Sequence, residues 1–124
     1  MQTITLPYHI QDGDNIMKKE LTISPSLLRE PYSKESLFVI QIKGNSMEPK
    51  IQDDALVIAD LSQRLTNHGD TFIVEYDKKL WIKEVKIEDD RCYFVSINPD
   101  YADLIYSADD VRVVAKALLS FTQL

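Results

Sequence analysis

Leu37-Phe38-Val39-Ile40-Gln41-Ile42 and Ala55-Leu56-Val57-Ile58-Ala59 flank the segment Gly44-Asn45-Ser46-Met47-Glu48-Pro49. Both flanking runs are apolar and rich in β-branched residues, which favours strands. The glycine and the proline mark the segment between the runs as a turn. Such a turn exposes a serine hydroxyl while the strands on either side hold it rigidly. The stretch therefore predicts a β domain with Ser46 held at a fixed position between two strands.

The chain that follows this turn also has the pattern of short strands joined by turns. Strands are predicted over residues 71–75, 79–87, 91–97 and 111–121. The last of these also fits a helix, but its β-branched opening favours a strand. Short strands at this spacing are typical of strongly bent sheets or of a partly open barrel. We therefore expect residues 37–124 to form one mostly β core.

Residues 1–36 are expected to form an arm rather than a compact unit. Short strands are predicted at residues 3–6 and 18–23, with a turn signal at residues 12–15 between them. Ser24 followed by Pro25 predicts a short helical turn, because serine caps a helix start and proline fits its first position.

Composition restricts the class of protein. The 124 residues carry a net charge of −6, which argues against binding of nucleic acid by this chain alone, since that needs a basic surface. A single cysteine, Cys92, fits a reducing cytoplasm. No signal peptide is recognised, and the longest apolar runs are five residues, against about 20 for a membrane helix. We find no phosphate-binding loop and no metal-ligand spacing, so no cofactor, metal or membrane partner is expected.

One lysine lies on the apolar face of the strand predicted over residues 79–87. Side chains alternate across a strand, so Lys83 shares its face with Trp81, Val85 and Ile87. Burial on such a face disfavours the ammonium form and lowers the lysine pKa from about 10.4. A lysine whose pKa is lowered in this way can act as a general base near neutral pH. The alternative is that Lys83 extends along the face and keeps its ammonium group in water.

Ser46 alone is a weak signal, because serines are common in turns. A serine nucleophile needs a base within hydrogen-bond reach and an oxyanion hole. Gly44 and the backbone around Ser46 and Met47 can supply N–H donors for that hole. Met47 itself is interpreted as a buried plug beside the turn, or as a contact for a bound chain segment.

Residues 44–60, with the order G-x-S-M-x-P, a turn, and an apolar strand ending in aspartate, are similar to the serine box of the LexA/UmuD family of self-cleaving peptidases. Residues 69–85 resemble its lysine box, and the spacing of 37 residues between Ser46 and Lys83 matches that family. Residues 95–101 resemble the strand and turn that follow. Two boxes in this order and at this spacing are a specific signal.

The resemblance covers residues 37–121 and implies a bent, mostly β domain of the LexA C-terminal, or signal-peptidase-like, type. It implies that Ser46 is the nucleophile, that Lys83 is the neutral general base, and that the substrate is the N-terminal arm of the same protein. In repressors of the family this domain also forms homodimers, while a separate helix-turn-helix domain binds DNA. We identify no such domain in this sequence, so DNA binding is expected only through a domain outside this chain.

Two positions depart from the family pattern. Where the family has Gly-Asp, this chain has Asp54-Ala55, so Asp54 is expected to adopt the left-handed backbone that aspartate tolerates. The family cuts itself at Ala-Gly or Cys-Gly, whereas the glycine upstream of the serine box here is Gly13, preceded by Asp12. The bond between Asp12 and Gly13 is therefore the predicted cleavage bond, although an aspartate is costly to bury in a dry cleft.

The leading hypothesis is the autoproteolysis and dimerisation domain of a LexA-like or phage-type repressor. The Asp12-Gly13 departure favours an alternative, in which the same fold is a dimerisation or binding module that does not cleave. A second alternative is a UmuD-like accessory protein of a DNA polymerase. A type I signal peptidase has similar boxes, but it needs a membrane anchor, which this sequence lacks.

Overall fold

A computed structural model describes residues 2–122, apart from the side chain of Asp12. Residues 1, 123 and 124, at the outer ends of the two predicted domains, lie outside this range. The strands within it are β1 (Ile4–Asp12), β2 (Asn15–Ile23), β3 (Leu37–Gln41), β4 (Leu56–Asp60), β5 (Thr71–Tyr76), β6 (Lys79–Glu88), β7 (Arg91–Val95), β8 (Tyr106–Ser107) and β9 (Arg112–Phe121). Short 3₁₀ helices span Pro25–Leu27, Lys34–Ser36, Pro99–Tyr101 and Ala108–Asp110. No helix within residues 2–122 is long and apolar enough to cross a membrane.

The strands form two antiparallel sheets. One pairs β1 with β2, and the other has the order β3-β4-β9-β5-β6-β7-β8 without closing into a barrel. Its register shifts at Ile58/Ala59 in the β4–β9 pair and at Ile73/Val74 in the β5–β9 pair. Such bulges bend strands and increase their twist. The mostly β fold predicted from the sequence is therefore confirmed, and β9 is the strand that joins the β3–β4 half of the sheet to the β5–β8 half.

The bent sheet buries residues on both of its faces near β6. Ile82 is 5% exposed in a cluster with Met47 and other apolar side chains from the two ends of the Ser46 turn. Val85 is buried on the opposite face with Phe72, Val74 and Phe94. Ile82 thus lies on the opposite face of β6 from Val85, as strand alternation requires, and both faces are buried at this point. The Ser46 turn folds over the Ile82 face and excludes water from it.

The first two strands form a hairpin whose open end packs into the core. Ile4, Leu6 and Ile23 are buried in one cluster with Leu37 and Val39. The opposite end of the hairpin extends into solvent and carries two exposed apolar side chains, Ile16 at 70% and Met17 at 43%. Strands predicted at residues 3–6 and 18–23 are confirmed, and both are longer than the pattern indicated. The Ser24 cap is also present, because its side chain accepts the N–H of Ser26.

Two aspartates fix the ends of β4. Asp54 takes a left-handed backbone with φ of 68°, as predicted for the position where the family has glycine. Asp60 is 0% exposed, and its carboxylate accepts hydrogen bonds from the backbone N–H groups of Ser33 and Ser62 and from the side chains of Ser62 and Gln63, at 2.7–2.8 Å. Burial acts to raise the pKa of this carboxyl, but these hydrogen bonds outweigh it and hold the pKa below its usual value.

Candidate functional site

The Ser46 turn borders an open, mostly apolar cavity of about 340 Å³. The wall comes from the end of β3 and the turn itself, from Ile73 in β5, from residues 80–82 in β6, and from Tyr101 and Leu104. Ser46 is half-buried in this wall, whereas Met47 is 1% exposed beneath it. A cavity of this size and polarity can accept an extended segment of polypeptide, because apolar walls favour burial of its side chains.

The segment that follows β7 holds the Ser46 turn in place. The N–H of Asn98 donates to the carbonyl oxygen of Ser46 at 2.9 Å, and the Asn98 amide donates to the carbonyl of Asn45 at 2.8 Å. The hydroxyl of Tyr101 donates to the side-chain oxygen of Asn45 at 2.6 Å. These bonds join residues more than 50 positions apart in the chain, so they fix the turn to the β7 end of the sheet.

Lys83 is completely buried in β6. Its Nζ donates to the hydroxyl of Ser96 at 2.6 Å and lies 5.7 Å and 5.8 Å from the ring centroids of Trp81 and Tyr106. Burial lowers the pKa of this lysine, and no carboxylate contributes to the shift. The sequence offered two interpretations of Lys83, and a side chain with 0% exposure does not extend to water.

Ser46 and Lys83 are not hydrogen-bonded to one another within residues 2–122. They are instead joined through one short stretch, since Ser96 binds Lys83 and Asn98 binds the Ser46 backbone. The two attachment points are only two residues apart in the chain, directly after the end of β7. Trp81 adjoins both groups, because it lines the Ser46 cavity and its ring faces Lys83.

Backbone donors at the turn differ in availability. The N–H of Gly44 donates to the Asp53 carboxylate at 2.8 Å, and Gly44 has a φ of +96° that favours glycine. For the N–H groups of Ser46 and Met47, no acceptor is found among residues 2–122. An oxyanion hole needs preorganised donors of this kind. No group of three His, Cys, Asp or Glu side chains in the same residues can hold a metal ion.

The predicted cleavage bond lies at the tip of the β1–β2 hairpin. Asp12 ends β1, and Gly13 is an exposed turn residue with a φ of +62°. The hairpin residues Tyr8, Ile10 and Lys19 line a second cavity, of about 580 Å³, rather than the Ser46 cavity. Gln41 and Lys43 line both cavities, so the two cavities adjoin at the end of β3.

Sequence reasoning did not assign functions to Ser96, Asn98 and Tyr101. The signal for Asn98 was present, because an Asn-Pro pair directly after a strand marks a turn in which the asparagine side chain bonds to nearby backbone. Ser96 carried no such signal. Its contact with Lys83 follows from the register of β6 with β7, in which Glu84 faces Val95, so that the preceding residue, Lys83, comes next to Ser96.

Comparison with known proteins identifies a family and a relative. The Peptidase S24-like family matches residues 3–118 of this chain. An uncharacterized HTH-type transcriptional regulator of Haemophilus influenzae is 30% identical over 82 residues, an alignment that covers 58% of this chain and 34% of the relative. The match therefore spans about a third of the length of that regulator.

Proposed function

Because the chain belongs to the Peptidase S24-like family, we propose that it is the self-cleaving domain of a transcriptional repressor. In this proposal Ser46 is the nucleophile, Lys83 is the general base, and the substrate is a segment of the same protein upstream of the serine. The wider role in transcription draws on the relative, whose name describes an HTH-type regulator. DNA binding would belong to a helix-turn-helix domain outside these residues.

The main support for the proposal is the burial of the Lys83 amine. Its amine is fully buried, lacks a carboxylate partner within residues 2–122, and has a pKa lowered by that burial. A lysine used only for structure is more stable on the surface or in an ion pair, since burial of a lone ammonium is costly. A neutral amine beside a serine turn is what a serine–lysine pair requires for proton transfer.

The reaction can be written with these groups. The Lys83 amine removes the proton of the Ser46 hydroxyl as Oγ attacks the carbonyl carbon of the substrate. The N–H groups of Ser46 and Met47 stabilise the negative oxygen of the tetrahedral intermediate. Collapse breaks the C–N bond, and the departing amine takes the proton back from Lys83. Water then hydrolyses the ester on Ser46, with Lys83 again as the base.

The candidate substrate bond is Asp12-Gly13. It lies in an exposed turn, where the backbone is accessible to a site that takes an extended segment. To be cut within its own molecule, it would have to cross the end of β3 at Gln41 and Lys43.

Intact-mass measurement over a pH series tests the proposal. We expect the purified protein to lose mass from its N-terminal segment, at a rate that rises from pH 7 to pH 10 as Lys83 deprotonates. Ser46→Ala and Lys83→Ala should abolish the loss. Lys86→Ala is the matched control, because Lys86 lies three residues along the same strand and is exposed. Its rate should equal that of the wild type.

Two results would contradict the proposal. One is an unchanged mass after days at pH 10, and the other is cleavage that persists in Ser46→Ala. The position of the new N-terminus gives the bond directly, and a cut at a site other than Asp12-Gly13 would correct the substrate without removing the peptidase function.

The second candidate function is a dimerisation or binding module that does not cleave. It is favoured by the placement of the hairpin, whose residues line the second cavity and not the Ser46 cavity. Analytical ultracentrifugation together with the mass series distinguishes the two: a stable homodimer of unchanged mass at pH 10 supports the module, and self-cleavage supports the peptidase.

A further inference from the structure

We propose that Ser96, Asn98 and Tyr101 form a positioning element that aligns the two halves of the active site, with Ser96 as the residue that orients the Lys83 amine. This inference rests on the proposed function, because it assigns the parts that make the serine–lysine pair work. It adds a third residue, Ser96, to the pair of Ser46 and Lys83.

Ser96 fixes the direction of the amine. A neutral lysine amine has two hydrogens and one lone pair, and rotation about its terminal bond leaves the direction of that lone pair free. The bond of 2.6 Å to the Ser96 hydroxyl removes this freedom, because it commits one N–H to a fixed acceptor. The lone pair then remains available for the proton of a nucleophile. The positioning function requires only that Ser96 accepts, and it adds no step to the reaction.

The same segment fixes the position of the other reacting group. Asn98 is two residues after Ser96 and binds the backbone oxygen of Ser46, while Tyr101 and Asn98 both bind Asn45. Any shift of the segment therefore moves both groups together. Misplacement by about 1 Å can cost a large part of the rate in such sites, so one shared support is effective.

The other groups around Lys83 cannot replace Ser96. Trp81 from β6 and Tyr106 from β8 present rings at 5.7 Å and 5.8 Å, and Phe72 from β5 is apolar. Lys116 of β9 is in register with Phe72, but its ammonium faces the Asp70 carboxylate at 3.5 Å. Tyr106 is thus the titratable side chain whose ring faces the Lys83 amine. The hydrogen-bond acceptor of that amine is the Ser96 hydroxyl.

The test uses the protonation state of Lys83 as well as its rate of cleavage. In protein labelled at the lysine ε carbons, the pKa of Lys83 is followed by NMR in a Ser46→Ala background, with the resonance assigned by its absence in Lys83→Met. We expect Ser96→Ala to lower this pKa further, since the buried ammonium loses its acceptor. In the cleaving protein, Ser96→Ala should reduce the rate at the high-pH plateau by about three- to tenfold and shift the pH midpoint downward.

Controls separate positioning from loss of the fold. Ser96→Thr keeps a hydroxyl and should restore both the pKa and the rate. Ser120→Ala removes an exposed serine of β9 and should change neither. An unchanged Lys83 pKa in Ser96→Ala overturns the inference, whatever happens to the rate. If the wild type does not cleave but Ser96→Ala still lowers the Lys83 pKa, the proposed function fails while the assignment of Ser96 stands.

Discussion

Replacement of Lys83 by methionine should make the protein more stable, although it removes the proposed general base. Lys83 is 0% exposed, and within residues 2–122 its side chain makes one hydrogen bond, to Ser96. Methionine has a similar length, fills irregular space and brings no polar atom that needs a donor. The half-buried Ser96 hydroxyl can still bind water after the change. Replacement of the buried amine therefore removes the desolvation free energy that the folded protein spends on it.

The size of the gain has two parts. Burial of an amine costs about 1–3 kcal/mol, and a neutral hydrogen bond returns about 0.5–1.5 kcal/mol, so the pH-independent gain is about 1 kcal/mol. The second part arises because the folded pKa of Lys83 is lowered, while the unfolded pKa stays near 10.4. Each unit of that difference costs the folded wild type about 1.4 kcal/mol at pH values below the folded pKa.

The pH dependence has a definite sign. Between the lowered folded pKa and about 10.4, the unfolded chain binds the proton that the folded chain has lost, so wild-type stability rises with pH. The advantage of Lys83→Met should accordingly be largest at pH values below the folded pKa of Lys83 and fall to about 1 kcal/mol above pH 10.4. Each kcal/mol corresponds to roughly 3–5 °C in the melting temperature of a chain of this size.

Urea denaturation from pH 6 to pH 10.5 measures this difference, in a Ser46→Ala background that prevents cleavage. Lys86→Met is the control, because Lys86 is exposed and forms only a surface ion pair with Glu88. It should change the free energy of unfolding by less than about 0.5 kcal/mol at every pH. A Lys83→Met variant that is less stable than its parent, by the same amount at all pH values, would refute the reasoning.

The other predictions concern Asp54, which precedes β4, and Asp60, which ends it. Asp60→Ala should lower the free energy of unfolding at pH 7 by about 3 kcal/mol, because it removes the hydrogen bonds that the buried carboxylate accepts from Ser33, Ser62 and Gln63. Since the folded Asp60 pKa is lowered, its contribution is complete above about pH 4 and is lost as the pH falls through the folded value, so denaturation at pH 3 should show a smaller difference. Asp54→Gly should be tolerated within about 1 kcal/mol, whereas Asp54→Val should cost about 1–2 kcal/mol, because only glycine adopts a φ of 68° freely. Equal stability of the Gly and Val variants in the same assay would show that this turn does not require the left-handed backbone.

Periodicity predicted the main strands because they obey local rules. The runs that became β3, β4, β5, β6 and β9 each differ from their predicted bounds by one residue at most. β-branched residues and turn residues determine such elements within a short window, so sequence reasoning could find them. The two-residue strand β8 was missed, because it exists only where Tyr106 and Ser107 pair with β7.

The contacts that hold Ser46 and Lys83 in place could not be predicted in the same way. Lys83 stood out because one charged residue on an apolar face is a local pattern. The contacts of Ser96 and Tyr101 depend on which strands pair and on where the bent sheet brings their ends. The burial of Ile82 was not predicted for the same reason, since it packs against Met47, 35 positions earlier in the chain. Contacts of this range are set by tertiary packing rather than by any window of sequence.

The position of β9 in the sheet imposes an order in time. Ser46 belongs to the β3–β4 half and Lys83 to the β5–β8 half, and β9, which joins them, comes after both in the chain. A ribosome adds about 5–20 residues per second, so the chain from the end of β8 at Ser107 to the end of β9 at Phe121 takes about 1–3 s to make, and during that time both halves exist without the joining strand. The pairing of β9 with β4 and with β5 is therefore the last step that joins the two halves of the sheet. Translation itself would delay the complete sheet, and with it the rigid support of the proposed pair, until β9 has been synthesised.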